Sequence, residues 1–289
     1  MTEGANKYQM AGIGEILWDL LPDGRQLGGS PMNVVYHCQA AGINSVIVSA
    51  VGKDKPGRDI LEMVESKNNS TEYIQILDDY PTGTVSVLLN RGIPDFTIHE
   101  NVAWDYISWS EKLKNLAKTI DALAFGSLAQ RNRVSGDTIR QFISHMKPGS
   151  IRLFDINLRQ HFHSLEILVE SLQMASILKI NDEELPVLAN YLKLDGSVFQ
   201  NVQLIIQKFN LDLVALTRGS NGSTLYTDNV VSVKNAPEVD IKDTVGAGDT
   251  FTGVLIAGLL KNRPIEEIHK DAVETAAWVC TQEGGTPAY

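Results

Sequence analysis

Short, almost continuously apolar runs recur along the chain from about residue 119, and segments with the apolar spacing of helices lie between them. Runs of this kind are typical of strands that are buried on both faces of a sheet. Their alternation with helices predicts an α/β fold with a mainly parallel sheet covered on both sides. The predicted strands are 120–125, 151–154, 177–180 and 213–217, and the predicted helices are 134–146, 165–174 and a long region from 183 to 209.

The first part of the chain follows a different pattern. The segment 82–90 has apolar residues on both of its alternating faces, so neither face is strongly polar. This pattern predicts a small sheet that covers a substrate, a partner subunit or the main body. Because no repeat and no long linker interrupts the sequence, we expect a single domain over residues 1–289. The strands predicted here are 10–16, 45–51, 82–90 and 95–99, of which the last two are joined by the turn 91–94.

A glycine-rich turn leads directly into an apolar helix near the carboxyl end of the chain. Gly246 and Gly248 flank Ala247, Asp249 follows at once, and apolar residues with helical spacing come next. Backbone N–H groups at such a helix start, together with the helix dipole, form an anion-binding site. A carboxylate there suits a base that takes the proton from a hydroxyl attacking a bound phosphate. The helix dipole alone also explains an acidic residue in a first turn.

A second glycine-containing turn precedes a helix predicted over 32–41, with Ser30 as its N-cap. Gly28 and Gly29 would allow a ligand to approach the backbone closely. Asn33, in the first turn, can both donate to and accept from a sugar hydroxyl. A well-capped helix with a glycine turn is the simpler explanation of the same residues.

Other polar residues stand where predicted strands end. Asp19 follows the first strand, where it would accept polyol hydroxyls or remain a surface acid. Asn181 and Glu184 have the spacing of a capping box, and the same oxygens can hold water around Mg²⁺. Arg159 suits contact with a phosphate or substrate oxygen, and a surface ion pair explains it equally well.

The turn that follows the strand 213–217 is also rich in glycine. Thr217 and the backbone near Gly219 and Gly222 can meet the phosphates of a nucleotide. A β-turn built on Asn-Gly explains the same residues without a ligand.

Composition excludes some classes of function. The chain has 35 Asp and Glu against 25 Lys and Arg, a net charge of −10, and no basic cluster, which disfavours a nucleic-acid partner. The most apolar stretch, 251–260, is far shorter than the ~20 residues that span a membrane. The amino terminus lacks signal-peptide order, and Cys38 and Cys280 lie in apolar patterns that indicate packing. We therefore expect a cytoplasmic protein.

Several enzyme classes lack their motifs. No Gly-x-x-x-x-Gly-Lys-Ser/Thr occurs, which disfavours a P-loop kinase. No Gly-x-Gly-x-x-Gly follows the first strand, which disfavours a Rossmann oxidoreductase. His161 and His163 can bind a metal, but no further zinc ligands have a plausible spacing.

Taken in order, these motifs resemble those of the ribokinase-like (pfkB-type) carbohydrate kinases over essentially the whole chain. Residues 245–253, Val-Gly-Ala-Gly-Asp-Thr-Phe-Thr-Gly, are similar to the highly specific C-terminal signature of that family. Residues 28–33, Gly-Gly-Ser-Pro-Met-Asn, resemble its N-terminal glycine pair and asparagine. Residues 181–184 resemble its Asn-x-x-Glu metal motif, 217–222 its nucleotide turn, and 52–57 a further structural element.

The resemblance implies a three-layer αβα sandwich with a mainly parallel central sheet and a small β-sheet lid, formed by segments of about 15–30 and 82–107. It implies ATP-dependent phosphorylation of a sugar, with Asp249 as general base. It also implies an anion hole formed by Gly246, Ala247, Gly248 and Asp249. The implied sugar-binding residues are Asp19, Gly28, Gly29, Asn33 and Arg159, and the implied nucleotide-binding residues are Asn181, Thr217, Gly219 and Gly222. The implied metal sites are one for Mg²⁺, held through water by Asn181 and Glu184, and one for a monovalent cation such as K⁺, held by Asp243, the carbonyl of Val245 and residues 284–288.

Within the family, residues 14–22 and the Gly-Gly-Ser-Pro turn look like those of the fructokinase branch. Residues 155–159 look like those of fructokinases and ketodeoxygluconate kinases. Fructose, phosphorylated on its primary 6-hydroxyl, is therefore the expected substrate. Ketodeoxygluconate, ribose and nucleosides stay open, as does a regulatory protein that binds a sugar or nucleotide without catalysis. The weakly polar lid also suggests a homodimer formed through the lids.

Overall fold

The computed structural model describes residues 8–21, 24–90 and 93–289, and these residues form two β-sheets flanked by helices. The strands in chain order are β1 (Gln9–Ile13), β2 (Leu17–Leu21), β3 (Gly24–Gly28), β4 (Asn44–Gly52), β5 (Ile74–Leu77), β6 (Gly83–Asn90), β7 (Ile93–Ile98), β8 (Ala122–Gly126), β9 (Ile151–Asp155), β10 (Ile177–Asn181), β11 (Leu213–Thr217), β12 (Ser223–Tyr226) and β13 (Val231–Lys234). The helices are α1 (Ser30–Ala40), α2 (Lys55–Ser66), α3 (Glu111–Ala117), α4 (Arg133–Ser144), α5 (Leu165–Met174), α6 (Glu184–Leu192), α7 (Val198–Phe209), α8 (Ala247–Leu260) and α9 (Ile265–Val279).

The large sheet has the order β13-β12-β11-β10-β9-β8-β1-β4-β5, and the small sheet has the order β3-β2-β6-β7. In the large sheet, all neighbours from β5 to β11 are parallel, and β12 and β13 add an antiparallel edge. Because parallel strands end at the same edge, the segments that follow β1, β9, β10 and β11 meet there. The predicted mainly parallel sheet is confirmed.

Alternate residues of the large sheet enter two different apolar clusters. In β4, Val46 and Val48 pack in a cluster with residues of α3 to α7, while Ile47 packs with residues of α1, α2, α8 and α9. Strands that are apolar on both faces therefore produce three layers, as the continuous apolar runs predict. None of the helices in the described residues has the length and apolar character needed to cross a membrane.

The predicted helical region 183–209 is wrong as a single element. Lys193 adopts a left-handed conformation with φ of 57°, which ends α6. Ser197 and Gln200 then form a reciprocal capping box that starts α7. The break separates two amphipathic helices that cover different parts of the same face.

The first predicted strand, 10–16, is also too long, because β1 ends at Ile13. The chain then turns at Gly14 and enters β2, so Asp19 lies inside the small sheet, opposite Gln26 of β3. The expectation that Asp19 directly follows a strand of the large sheet is therefore wrong. The other predicted strands agree with the observed bounds within two residues at each end. In the predicted turn 91–94, residues 91 and 92 lie outside the described residues, and 93 and 94 belong to β7.

The prediction that Ser30 caps α1 is wrong as well. The N-cap is Gly29, whose φ of 112° is unfavourable for other residues and whose position lies against the carbonyl oxygen of Glu15. Ser30 is the first residue of the helix, and no side chain caps the helix. The hydroxyl of Ser30 is therefore available for another contact.

The segment that follows β7 returns to the main body. Ala103–Tyr106 forms a short 3₁₀ helix, and the Trp104 side chain is fully buried in the core of the α3–α7 face. The Arg131 guanidinium lies 4.1 Å from the centre of the Trp104 ring and forms an ion pair with Asp105 at 2.8 Å. These contacts fix the base of the small sheet to the large one.

We predict that Phe154→Ala destabilises the fold by about 3–5 kcal/mol, because a fully buried aromatic ring is lost and a cavity is left. Phe154 is 0% exposed, and its ring stacks on Phe125 with 5.3 Å between centres. The matched control is Phe199→Ala, because Phe199 is 53% exposed; its cost should stay below about 1 kcal/mol. Urea denaturation measures both changes, and equal losses would contradict the assigned core.

Candidate active site

Asp249 lies in the first turn of α8, which packs against α1. Its Oδ1 atom accepts a hydrogen bond from the Ser30 hydroxyl at 2.6 Å. Its Oδ2 atom accepts one from Asn33 Nδ2 at 2.8 Å. Because each carboxylate oxygen has a donor from α1, the orientation of the carboxylate is fixed.

The turn before α8 has the geometry of an anion-binding site. Gly246 is the N-cap, with a left-handed φ of 76°. A Cβ atom at Gly246 would stand 2.5 Å from the Cα of Gly285, so both the conformation and the close approach require glycine. The N–H groups of the first turn have no acceptors within the helix and carry the positive end of its dipole. This arrangement can bind phosphate oxygens beside Asp249.

Asp243 joins this turn to the carboxyl-terminal residues. Its Oδ1 atom accepts from the backbone N–H of Val245 at 2.9 Å, and its Oδ2 atom accepts from that of Gly284 at 3.0 Å. The structure therefore brings together the residues predicted for a monovalent cation, although they are far apart in the sequence.

His37 of α1 forms hydrogen bonds with the same carboxyl-terminal segment. Its Nε2 lies 2.8 Å from the Gly285 carbonyl oxygen, and its Nδ1 lies 2.7 Å from the Tyr289 hydroxyl. Because a carbonyl can only accept, Nε2 carries the proton and Nδ1 accepts from the hydroxyl. Burial lowers the pKa of His37, which favours this neutral form.

Buried charges surround Asp249. Lys179 of β10 forms an ion pair at 3.1 Å with Asp155, its partner in the register with β9. Burial opposes the charged form of Lys179, but the attraction of Asp155, Glu184 and Asp249 raises its pKa. Burial raises the pKa of Asp155 to about 6, against the attraction of Lys179. Acidic side chains whose pKa values are shifted, clustered where the parallel strands of a sheet end, indicate a functional site.

Glu15 is a further buried acid in this group. Burial raises its pKa to about 7, and the negative charge of Asp249 adds to the rise. One carboxyl oxygen of Glu15 lacks a hydrogen-bond partner, and Glu15 and Asp155 line a small cavity together with Ser30 and Asn157. Ser30, which lines this cavity, is also a hydrogen-bond donor to Asp249.

Asp19 and Arg159 come from different layers of the protein but interact through space. Burial raises the pKa of Asp19 to about 6, and the attraction of the Arg159 guanidinium opposes that rise. The Asp19 carboxylate lies against Gly28 of the neighbouring strand, where a Cβ atom would collide with it. Arg159 itself is exposed. Asp19 and Arg159 thus supply opposite charges between the small sheet and the segment after β9.

Asn181 and Glu184 form the reciprocal bonds of a capping box. Asn181 Oδ1 accepts from the backbone N–H groups of Glu183 and Glu184, and Glu184 Oε2 accepts from the backbone N–H of Asn181. Glu184 Oε1 accepts from the N–H of Leu158 at 2.9 Å. The buried Glu184 therefore ties the segment after β9 to the segment after β10.

A cavity of about 470 Å³ lies on the other side of the α8 turn. Thr217, Gly219 and Gly222 line one side, and Ala247 and Gly248 line the other. The predicted nucleotide turn and the predicted anion hole therefore face the same space. Most of the remaining lining residues are apolar, and many of them come from α9 and the segment before α8, including Val239, Ile241, Val273 and Ala276.

The comparison with known families agrees with this geometry. The profile described as pfkB family carbohydrate kinase matches residues 24–288. The chain belongs to the pfkB family of carbohydrate kinases. Over 275 residues it is 29% identical to a sugar kinase of Pyrococcus horikoshii, with 89% of this chain and 84% of that protein covered. Over 282 residues it is 27% identical to a fructokinase of Salmonella typhimurium, with 93% and 90% covered.

Solved structures share the fold of this pfkB kinase. The Pyrococcus horikoshii sugar kinase in complex with ATP has a TM-score of 0.82 at 28% identity, covering 96% of this chain and 94% of that chain. The fructokinase of Vibrio cholerae bound to fructose, ADP and calcium has a TM-score of 0.83 at 24% identity, covering 97% and 95%. The predicted ribokinase-like sandwich with a second small sheet is confirmed.

The sequence pattern does not single out four residues at the site of this kinase. Lys179 interrupts an apolar strand, and a charged residue in a buried strand is a signal that was available. Glu15 carries no signal in the pattern, and Ser30 has a local explanation as a cap residue, which conceals its contact with Asp249. His37 lies in a helix whose burial becomes visible only when α8 packs against it.

We predict that the stability of Glu15→Gln relative to the natural chain increases as the pH rises from 4.5 to 8. The pKa of Glu15 is higher in the folded state, so the folded protein binds more protons between pH 4.5 and about 7. The contribution of Glu15 to the stability of the folded state is therefore complete below its pKa in the unfolded chain. That contribution is lost as the pH rises through its pKa in the folded protein. The difference should reach up to about 3 kcal/mol. Urea denaturation at pH 5 and pH 8 measures it, and a pH-independent difference would contradict the assignment.

Proposed function

We propose that this pfkB kinase uses ATP to phosphorylate the primary 6-hydroxyl of fructose. The observation that carries the proposal is the position of Asp249. Its carboxylate stands at the start of α8, with the cavity of the nucleotide turn on one side and Asn33 of α1 on the other. A base at that point can reach a sugar hydroxyl while the adjacent N–H groups hold the phosphoryl group.

Asp249 accepts the proton of the sugar hydroxyl while that oxygen attacks the γ-phosphorus and ADP leaves in line. The backbone N–H groups of residues 246–249 stabilise the charge that develops on the phosphoryl oxygens. Thr217 and the turn Gly219–Asn221, with Gly222, hold the nucleotide phosphates across the same cavity. The cocomplex of the Pyrococcus horikoshii relative with ATP supports ATP as the phosphoryl donor.

The sugar lies beneath the small sheet, which serves as a lid in a single domain over residues 1–289. Asp19 accepts sugar hydroxyls, and Asn33 donates and accepts at the reacting end. Gly28 and Gly29 allow the sugar to approach the backbone. Arg159 supplies positive charge opposite Asp19. A closed lid excludes water and so limits wasteful hydrolysis of ATP.

The residues after β10 fit Mg²⁺ held through water. Each Glu184 oxygen accepts one backbone N–H and retains a lone pair that a metal-bound water can use. Asn181 Oδ1 already accepts two N–H groups, so Asn181 contributes its Nδ2 donors to water or phosphate. When bound, Mg²⁺ neutralises charge on the phosphates.

Asp243 and the carbonyl of Val245 suit a monovalent cation such as K⁺ beside the anion hole. The hydrogen bond from Gly284 to Asp243 supports this, because it brings the terminal loop to the same point. A cation there would order the turn that leads into α8.

Fructose is favoured because relatives at 27% and 26% identity, from Salmonella typhimurium and Escherichia coli, are named fructokinases. A relative at 25% identity is named an ATP-dependent 6-phosphofructokinase, so a phosphorylated sugar belongs among the alternatives. The proposal includes a homodimer formed through the lids. It also includes a cytoplasmic location, which the free thiols of Cys38 and Cys280 support.

Coupled ADP release with purified protein, MgATP and K⁺ tests the proposal. The acceptors are fructose, glucose, ribose, ketodeoxygluconate, adenosine and fructose 6-phosphate. Turnover on fructose far above the others is the expected result. Turnover on another acceptor would change the substrate and keep the mechanism. Sugar binding without ADP release, read as a thermal shift, would favour a binding protein without catalysis.

We predict that Asp249→Asn lowers turnover by about 10²–10⁴-fold, because the general base is lost. The affinity for ATP should change little, since the backbone N–H groups and the nucleotide turn are retained. Asp240→Asn is the matched control, because Asp240 is an exposed residue of the segment before α8. Steady-state kinetics and calorimetric titration of ATP measure the two effects. Near-normal turnover of Asp249→Asn would show that the base is another group.

We predict that replacing K⁺ with tetramethylammonium at constant ionic strength lowers turnover severalfold. The cause is loss of order in the turn between Asp243 and Gly246. In Asp243→Asn the dependence on K⁺ should disappear, because the anionic ligand is removed. Equal turnover of the natural chain in both salts would contradict the cation site.

A further inference from the structure

Ser30 has an unusual use for a serine at a helix start. Its hydroxyl caps no backbone N–H of α1, because Gly29 is the N-cap and no side-chain cap is present. It donates instead to Asp249 Oδ1 at 2.6 Å, across 219 residues of sequence. Ser30 is only partly buried, and Pro31 follows it at the start of α1. Because Ser30 is the first residue of α1, the position of the helix determines where its hydroxyl lies.

Each oxygen of Asp249 accepts one hydrogen bond in this structure, and a donor that turns away would free a further position on its oxygen for the reacting hydroxyl. Asn33 is the donor that can leave, because its Oδ1 atom is buried without a hydrogen-bond partner. An amide with one satisfied arm and one unsatisfied arm gains a bond by turning to a sugar hydroxyl. The Ser30 hydroxyl can stay on Oδ1 while the sugar takes the place of Asn33 on Oδ2.

We propose that Ser30 is a positioning residue for the general base: its hydroxyl holds Asp249 Oδ1 throughout the reaction, fixes the orientation of the carboxylate, and leaves Oδ2 to the substrate. The inference rests on the proposed function, in which Asp249 is the base. Ser30 does not contact the sugar, whereas Asn33 does. The loss of each residue should therefore affect different kinetic constants.

Ser30→Ala should lower kcat about 10- to 100-fold, which corresponds to the loss of a hydrogen bond to a charged group. The KM for the sugar should stay within about threefold, because no contact with the sugar is removed. Asn33→Ala should raise that KM. Ser30→Thr should restore most of the activity, because it retains the hydroxyl. A fall in kcat that Ser30→Thr does not rescue, or a higher KM with unchanged kcat, would overturn the proposal.

Ser110→Ala is the matched control, because Ser110 is the N-cap of α3 and its hydroxyl accepts a hydrogen bond from the backbone N–H of Leu113. That variant should lose stability without a change in kcat. An equal fall of kcat in Ser30→Ala and Ser110→Ala would show a merely structural effect and would overturn the proposal.

The same link can be measured without turnover. The protein is labelled with ¹³C at the Asp carboxyl carbon, and Asp249→Asn identifies the signal of Asp249. At fixed pH the chemical shift of that signal should change in Ser30→Ala, because the hydrogen bond to the carboxylate is lost, and should remain unchanged in Ser110→Ala. If the natural chain phosphorylates none of the tested sugars, the proposed function fails, and this measurement still decides whether Ser30 holds the Asp249 carboxylate. An unchanged chemical shift in Ser30→Ala would overturn the proposal.

Discussion

The contact between the amino-terminal turns of α1 and α8 is the constraint on which the rest of the site depends. It joins residues more than two hundred positions apart, and the carboxylate of Asp249 bridges it through Ser30 and Asn33. Two helix N-termini next to one carboxylate create a concentration of positive dipole and N–H donors. The loops that carry the other site residues are ordered around this contact.

Acidic groups are concentrated behind this contact, and their burial is only partly compensated. Glu15 retains a carboxyl oxygen without a hydrogen-bond partner, and burial raises the pKa of both Glu15 and Asp155. Lys179 provides a buried positive charge for the group. Such an arrangement is unfavourable for stability alone, because unpaired buried carboxyls prefer to be neutral. Such buried acids are typical of sites that bind a phosphate and transfer a proton, because their charge can change during those steps.

Much of the fold was accessible from the sequence because the strands of the large sheet are apolar on both faces and are bounded by turn residues. The glycine turn before α8 was accessible for the same local reason, since Gly246 and Gly248 mark a tight approach. The contact of Ser30 with Asp249 and the place of Asp19 in the small sheet were not. These two features depend on pairings between distant segments, for which local periodicity holds no information. The break at Lys193 differs from them, because the capping box of Ser197 and Gln200 is a local signal of a new helix start.

The most direct test of the central claim is the identity of the product. The purified protein is incubated with MgATP, K⁺ and uniformly ¹³C-labelled fructose, and the sugar carbons are followed by NMR with ³¹P coupling. The account predicts that ADP forms in equal amount with one new sugar species, in which carbon 6 is coupled to phosphorus. Phosphorus coupling at another carbon would contradict the assigned hydroxyl. ADP formation without any phosphorylated sugar would contradict the role of Asp249 as the base for a sugar hydroxyl.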